Sequence, residues 1–172
     1  MKYGAVVGSM DVLVDVLRSH GHSNAGVAEE CCLAIGWIMG GYVENRVKYG
    51  AVAGSMEVLV DVLRSHGRSN AEVAGCCCDA IGYITAGNAE NKGKYGAVAA
   101  SMEVLVDVLK AHGKTPASSI VLYFCCTAIS ELCESNASNA SKLKSLNIIH
   151  VLEHEVTVNV DEKIDVLAIF RK

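Results

Sequence analysis

The chain has 172 residues, 51% of them hydrophobic, and a formal net charge of −4, so it is long enough to bury a substantial core and too apolar for a disordered tail. One Pro and two Phe among abundant Ala, Val, Leu and Gly favour close-packed helices over a β-sandwich full of turns. With no broad basic field for phosphate backbones, nucleic acid is excluded as an expected partner.

The opening "MKYGAVVGSMDV" is not expected to act as a secretory signal, because Asp11 breaks its apolar run and no cleavage site follows. Residues 2–21, "KYGAVVGSMDVLVDVLRSHG", instead begin a repeat. Residues 48–67 match them at 18 of 20 positions, and residues 94–113 match the second copy at 17 of 20, at a spacing of 46. Such self-similarity marks a stacked architecture in which each unit buries a face against its neighbour. In "GSMEVLVDVLRSHG", Met56, Leu59, Val60 and Leu63 recur at i, i+3, i+4 and i+7, which predicts a helix with an apolar stripe and Glu57, Asp61 and Arg64 opposite it. His66 complements the dipole at the C-terminus, and Gly67 is expected as a left-handed stop. The recurrence of His20 and His112 at the same place favours capping over catalysis.

"SNAEVAGCCCDAIGYITAG" (69–87) predicts a further helix, opened by an Asn/Ser N-cap, striped by Val73, Cys77, Ala80, Ile81 and Ile84, and ended by Gly87. A shorter helix, "AENKGKYGAV" (89–98), leads to the next unit. Each repeat is therefore short helix, helix, helix. The third copy carries two extra residues after Pro116, and the fourth is worn, with Asn147 in place of Gly. The expected division is a partial repeat 1–41, repeats 42–87 and 88–135, and a partial repeat 136–172 within one domain. Stripes at Val6, Met10 and Leu13, and at Ile164, Leu167 and Ile169, lack a neighbour at the two ends. They predict either a fragment of a longer array or self-association.

The eight cysteines fall as Cys31-Cys32, Cys76-Cys77-Cys78, Cys125-Cys126 and Cys133, without a CxxC or a zinc spacing. Adjacent helical residues point about 100° apart, so they are expected as buried free thiols, with no metal, in a reducing cytoplasm or nucleus. The sequons at Asn136 and Asn139 are expected in an Asn/Ser-rich loop. The longest uncharged stretch, 115–130, reads as too short and too polar for a bilayer, and GxxxG at Gly4/Gly8, Gly36/Gly40 and Gly50/Gly54 lacks an apolar twenty-residue context. No membrane association is expected.

The run "ENRVKYGAVAGSMEVLVDVLRSHG" followed by "AGCCCDAIGYITAG" resembles the armadillo repeat, whose pattern places Gly before "a-LV-LL" and then "A-x-x-AL-NLA" on a third helix. The likeness covers the whole chain, specifically in the second helix and more loosely in the third, with HEAT as the alternative. It implies an all-α fold, a right-handed α-solenoid of three-helix repeats, with a protein or peptide partner on the concave groove of third helices and no cofactor. Aligning Ala34-Ile35, Ala80-Ile81 and Ala128-Ile129 with the family's "AL" places Leu33, Asp79 and Thr127 where nuclear-import members often hold Trp. It places Trp37, Tyr83 and Glu131 where they hold Asn. One turn earlier stand Glu29, Gly75 and Tyr123. Each triplet runs i, i+4, i+8 along one face. Because none of the three sites keeps Asn, the strip reads as aromatic anchors beside carboxylates, suited to a basic partner.

"HVLEH" (150–154) matches the H-x-x-E-H pattern of a zinc peptidase. His150 falls at the exposed place of Glu57, so a surface pair is expected rather than an active site. The sequence thus points to a non-catalytic interaction scaffold, with an architectural spacer as the rival.

Overall fold

A computed structural model describes residues 8–158 and 161–171, and all its regular structure there is helical. Gly4 and Val6 lie outside the described residues. Helix α1 (Ser9–Val16) continues into a π-helical turn (Leu17–Gly21) and is followed by α2 (Ala25–Met39). Next come α3 (Val43–Ala51), α4 (Ser55–His66) and α5 (Ala71–Thr85), then α6 (Ala89–Ala97), α7 (Ser101–His112) and α8 (Ser119–Cys133). Helix α9 (Ala137–Ser145), α10 (Ile148–His150) with its π-helical turn (Val151–Glu155), and α11 (Asp161–Phe170) complete the order. Short, medium and long helices therefore recur in sequence. Asn24 and Asn70 cap α2 and α5, accepting from the Val27 and Val73 amides at 3.2 and 3.0 Å.

The long helices pack side by side, α2 on α5, α5 on α8 and α8 on α11, while the medium and short helices stack in files of their own. Leu59, Leu63, Leu105 and Leu109 are buried, as are Val73, Cys77, Ala80, Ile81 and Ile84. Each large aliphatic chain so buried stabilises by about 1.5–3 kcal/mol. Val58 and Val62, off the expected stripe, are buried as well, because α4 is flanked by a copy on either side.

Side chains of one copy take up carbonyls of the copy before it. His66 Nε2 donates to the Gly21 carbonyl and His112 Nε2 to the Gly67 carbonyl, each at 2.8 Å. In the fourth copy the Thr157 and Val158 amides replace the imidazole, donating to the Gly113 carbonyl at 2.8 and 3.1 Å. Lys94 donates to the Gly50 carbonyl at 2.6 Å, and Lys142 does the same for Gly96. The histidines thus cap a neighbour's helix end as well as closing their own.

A buried asparagine file runs through the short helices. Asn91 Nδ2 donates to the Arg46 and Ile84 carbonyls at 2.9 and 3.0 Å, and Asn139 Nδ2 to those of Lys92 and Leu132 at 3.0 Å each. Asn45 donates to the Ile38 carbonyl at 2.8 Å. This file explains the glycine of "KYG": a Cβ on Gly50 would lie 1.8 Å from Asn91 Oδ1, and one on Gly96 1.9 Å from Asn139 Oδ1. Asn136 and Asn139, expected in a loop, instead cap and enter α9, where Asn139 is buried.

Three further expectations are corrected by packing. Gly67 has φ −57° and is not a left-handed stop. It is glycine because a Cβ would sit 2.5 Å from the Leu63 carbonyl and 3.1 Å from Val108 Cγ2 of the next copy. Left-handed backbone occurs before the medium helices, at Gly54, Ala100 and Asn147, and after α5 at Gly87. Met10 and Leu167 are buried rather than uncovered, since they face inward; Ile164 is exposed as expected, at 61%, and so is Val12, which lay outside the expected stripe. The uncharged stretch extends into an 18-residue run, Pro116–Cys133, long and apolar enough to cross a bilayer, but half of it is buried and α8 packs between α5 and α11. In this fold it serves as a core helix.

Candidate functional site

The long helices place the nine expected site residues in three neighbouring files, with unequal exposure. Trp37 near the end of α2 is 75% exposed, so it is not a core residue. Tyr83 on α5 and Tyr123 on α8 are 40% and 42% exposed. Tyr83 rests against α2, its ring 3.8 Å from where a Gly36 Cβ would stand and 3.9 Å from that of Gly40. The Gly36/Gly40 pair, which reads as a weak GxxxG in sequence, thus makes room for Asp79 and Tyr83 of the next copy. Tyr123 stacks edge-on against Phe124, with ring centroids 5.3 Å apart.

Glu29, Leu33, Asp79, Thr127 and Glu131 are half-buried. Burial holds the Asp79 carboxyl above its ordinary range. Glu131 lies 3.9 Å from the Lys92 ammonium, which also meets Glu134 at 2.9 Å, so part of its charge is answered within the molecule. The Thr127 hydroxyl donates to the Tyr123 carbonyl at 2.9 Å. Gly75 corrects the expected set: it is buried under Val121 and Phe124 of α8 and cannot line a groove. Its lack of a side chain serves helix packing.

Two neighbours were missed in the sequence. Cys76 is half-buried, and its thiol is pushed up to about 11, first by burial and then by the charges of Glu29, Asp79 and Glu30. Glu30 therefore belongs to the same acidic surround; its place as the partner of Cys76 in the aligned copies was the available signal. On α3, Val43 and Val47 are exposed one turn apart, where the next copy has Ala89 and Gly93.

The thiols themselves are free, and Cys32, Cys77, Cys78, Cys125, Cys126 and Cys133 are buried. The Cys77 and Cys125 thiols donate to the Leu59 and Leu105 carbonyls, each at 3.5 Å. Burial pushes Cys126 and Cys133 up to about 12, which keeps them protonated and unreactive at neutral pH.

His150 and His154 lie with ring centroids 4.8 Å apart, and Glu153 binds Arg171 at 2.6 Å. Among the described residues no cluster of three or more His, Cys, Asp or Glu is arranged to hold a metal. A depression of about 200 Å³ is lined by Leu17, Arg18, His22, Val58, Asp61, Arg64 and Ser65, none of them among the expected site residues.

Compared with known proteins, the chain matches no family model, no curated protein and no solved structure.

Proposed function

We propose that the chain is a non-catalytic interaction scaffold, an armadillo-like right-handed α-solenoid that holds a basic protein segment along its file of third helices. The observation that carries this reading is Trp37, a large ring 75% exposed on α2, with Tyr83 40% exposed on the adjoining α5 and the Glu29, Glu30 and Asp79 carboxylates gathered around Cys76 on the same two helices. Exposed aromatics supply contact area at low entropic cost, and nearby carboxylates favour Lys or Arg. The rigid files of buried leucine and asparagine would hold those rings in place without a ligand, which lowers the ordering cost of binding.

A random peptide library selected on the intact protein tests the reading. Enriched peptides should be rich in Lys and Arg, and Trp37→Ala and Tyr83→Ala should each weaken them by about 2 kcal/mol or more while leaving helicity and melting unchanged. Asp79→Lys should slow association in a salt-dependent way. Peptides bound equally well by both alanine variants would move the surface elsewhere, first to Asp15, Asp61 and Asp107, which pair with Arg18, Arg64 and Arg68. A selection that enriches nothing would favour the architectural spacer.

A further inference from the structure

The first copy exposes a face that later copies bury. Val12 is 61% exposed, whereas Val58 and Val104, at the same place in the second and third copies, are each 5% exposed. Leu13, Val16, Val27 and Ile38 are half-buried where Leu59, Val62, Val73 and Ile84 are buried. His20 is exposed, while His66 and His112 reach a preceding Gly carbonyl. What covers this face in the interior is visible: Leu17 and Arg18 line the wall beside Val58, and Val62 Cγ2 lies 3.4 Å from where a Gly21 Cβ would stand.

The opposite end is finished differently. Glu153 stands where the second and third copies have Val60 and Val106, and it binds Arg171 at 2.6 Å with His154 beside it. A charged pair at a stacking position is a polar cap of the kind that ends a repeat array. A second copy of this chain, docking head to tail, would bring that charged end against Val12.

We propose that the face of Val12, Leu13, Val16 and His20 is a docking surface for one further repeat of this same kind, presenting an apolar stripe like Met10, Val14 and Leu17 and a glycine carbonyl at its helix end. Continuity with the interfaces inside the molecule carries the assignment, since at the first two the same side chains meet the same partner, and at the third backbone amides take the place of the histidine on the same glycine carbonyl. Pairing of two such faces is disfavoured because each interior contact is heterologous, a donor of one copy meeting a glycine carbonyl of the copy before it, and two identical faces would bring two histidines together without that carbonyl. The inference rests on the packing of copies and is independent of any ligand on the third helices.

The test appends a second copy of residues 47–92 directly ahead of Met1, which keeps the spacing of 46. In a nearest-neighbour stack an added interface raises the stability of the whole array, so the extended protein should unfold in one transition at a higher midpoint than the parent. Val12→Lys should leave the parent's midpoint in place and abolish the rise in the extended protein, and His20→Ala should reduce it. A separate transition for the added copy would overturn the proposal. So would a rise that survives Val12→Lys, because the added copy would then sit elsewhere. A parent that sediments as a dimer and becomes a monomer on Val12→Lys would also overturn it, by assigning the face to a second copy of this chain.

Discussion

Residues 13–21 and 59–67 both spell LVDVLRSHG, yet they are not wound alike. In the first copy the stretch leaves α-helical geometry at Leu17 and finishes as a π-turn; in the second it stays α-helical to His66. Their surroundings also differ. The second copy has α1 and its π-turn on one side and α7 on the other, and its histidine is bonded to Gly21; the first has described neighbours on one side. Propensity is common to both, so the winding of the last turn is a response to packing. Identical sequence can therefore be structurally unequal, and the inequality is measurable in paired mutations.

The largest difference is expected in the asparagine file. Asn91→Ala removes two buried amide bonds and strands the Arg46 and Ile84 carbonyls, and should cost about 3 kcal/mol by denaturant unfolding. Asn45→Ala, which removes the bond to the Ile38 carbonyl, should cost roughly 1–2 kcal/mol. Equal losses would show that the cross-copy bond to Arg46 contributes nothing. The histidines give a smaller but sharper contrast. His66→Ala should destabilise by about 1–2 kcal/mol, since it leaves the Gly21 carbonyl without its donor. His20→Ala, at an exposed position, should stay within about 0.5 kcal/mol.

The smallest effect has the opposite sign. Ala100 holds φ 61° at the place where the second copy has Gly54 at φ 74°. Left-handed backbone costs a residue with a Cβ about 1–2 kcal/mol, part of which is offset by the greater unfolded-state freedom of glycine. Ala100→Gly should therefore raise stability by up to about 1 kcal/mol, and calorimetry showing a loss would mean that the methyl group contributes packing that outweighs the strain.

Much of the helix plan was legible because repetition multiplies weak signals. A single "SMEVLVDVL" is one amphipathic pattern among many, but three copies fix its phase and its neighbours. The recurring Asn of "ENR", "ENK" and "SNA" was equally visible at near-constant spacing, and its role was not, because a polar residue in a short helix says nothing of the carbonyls that will approach it. The candidate surface was legible unevenly. Trp37, Tyr83 and Tyr123 emerged on the exposed side of the long helices, and Gly75 did not, since the side of α5 on which it lies is claimed by Val121 and Phe124.

By itself the sequence determined the helical class, the order of short, medium and long helices, and which residues of each medium helix could form an apolar stripe, because these depend on local periodicity and capping. Tertiary structure decided which of two identical valines is covered, where histidine finds a carbonyl and why glycine is required at positions 50, 67 and 96. Those outcomes depend on the approach of a neighbouring copy to within a few ångströms, a distance that the residues of one repeat do not encode alone.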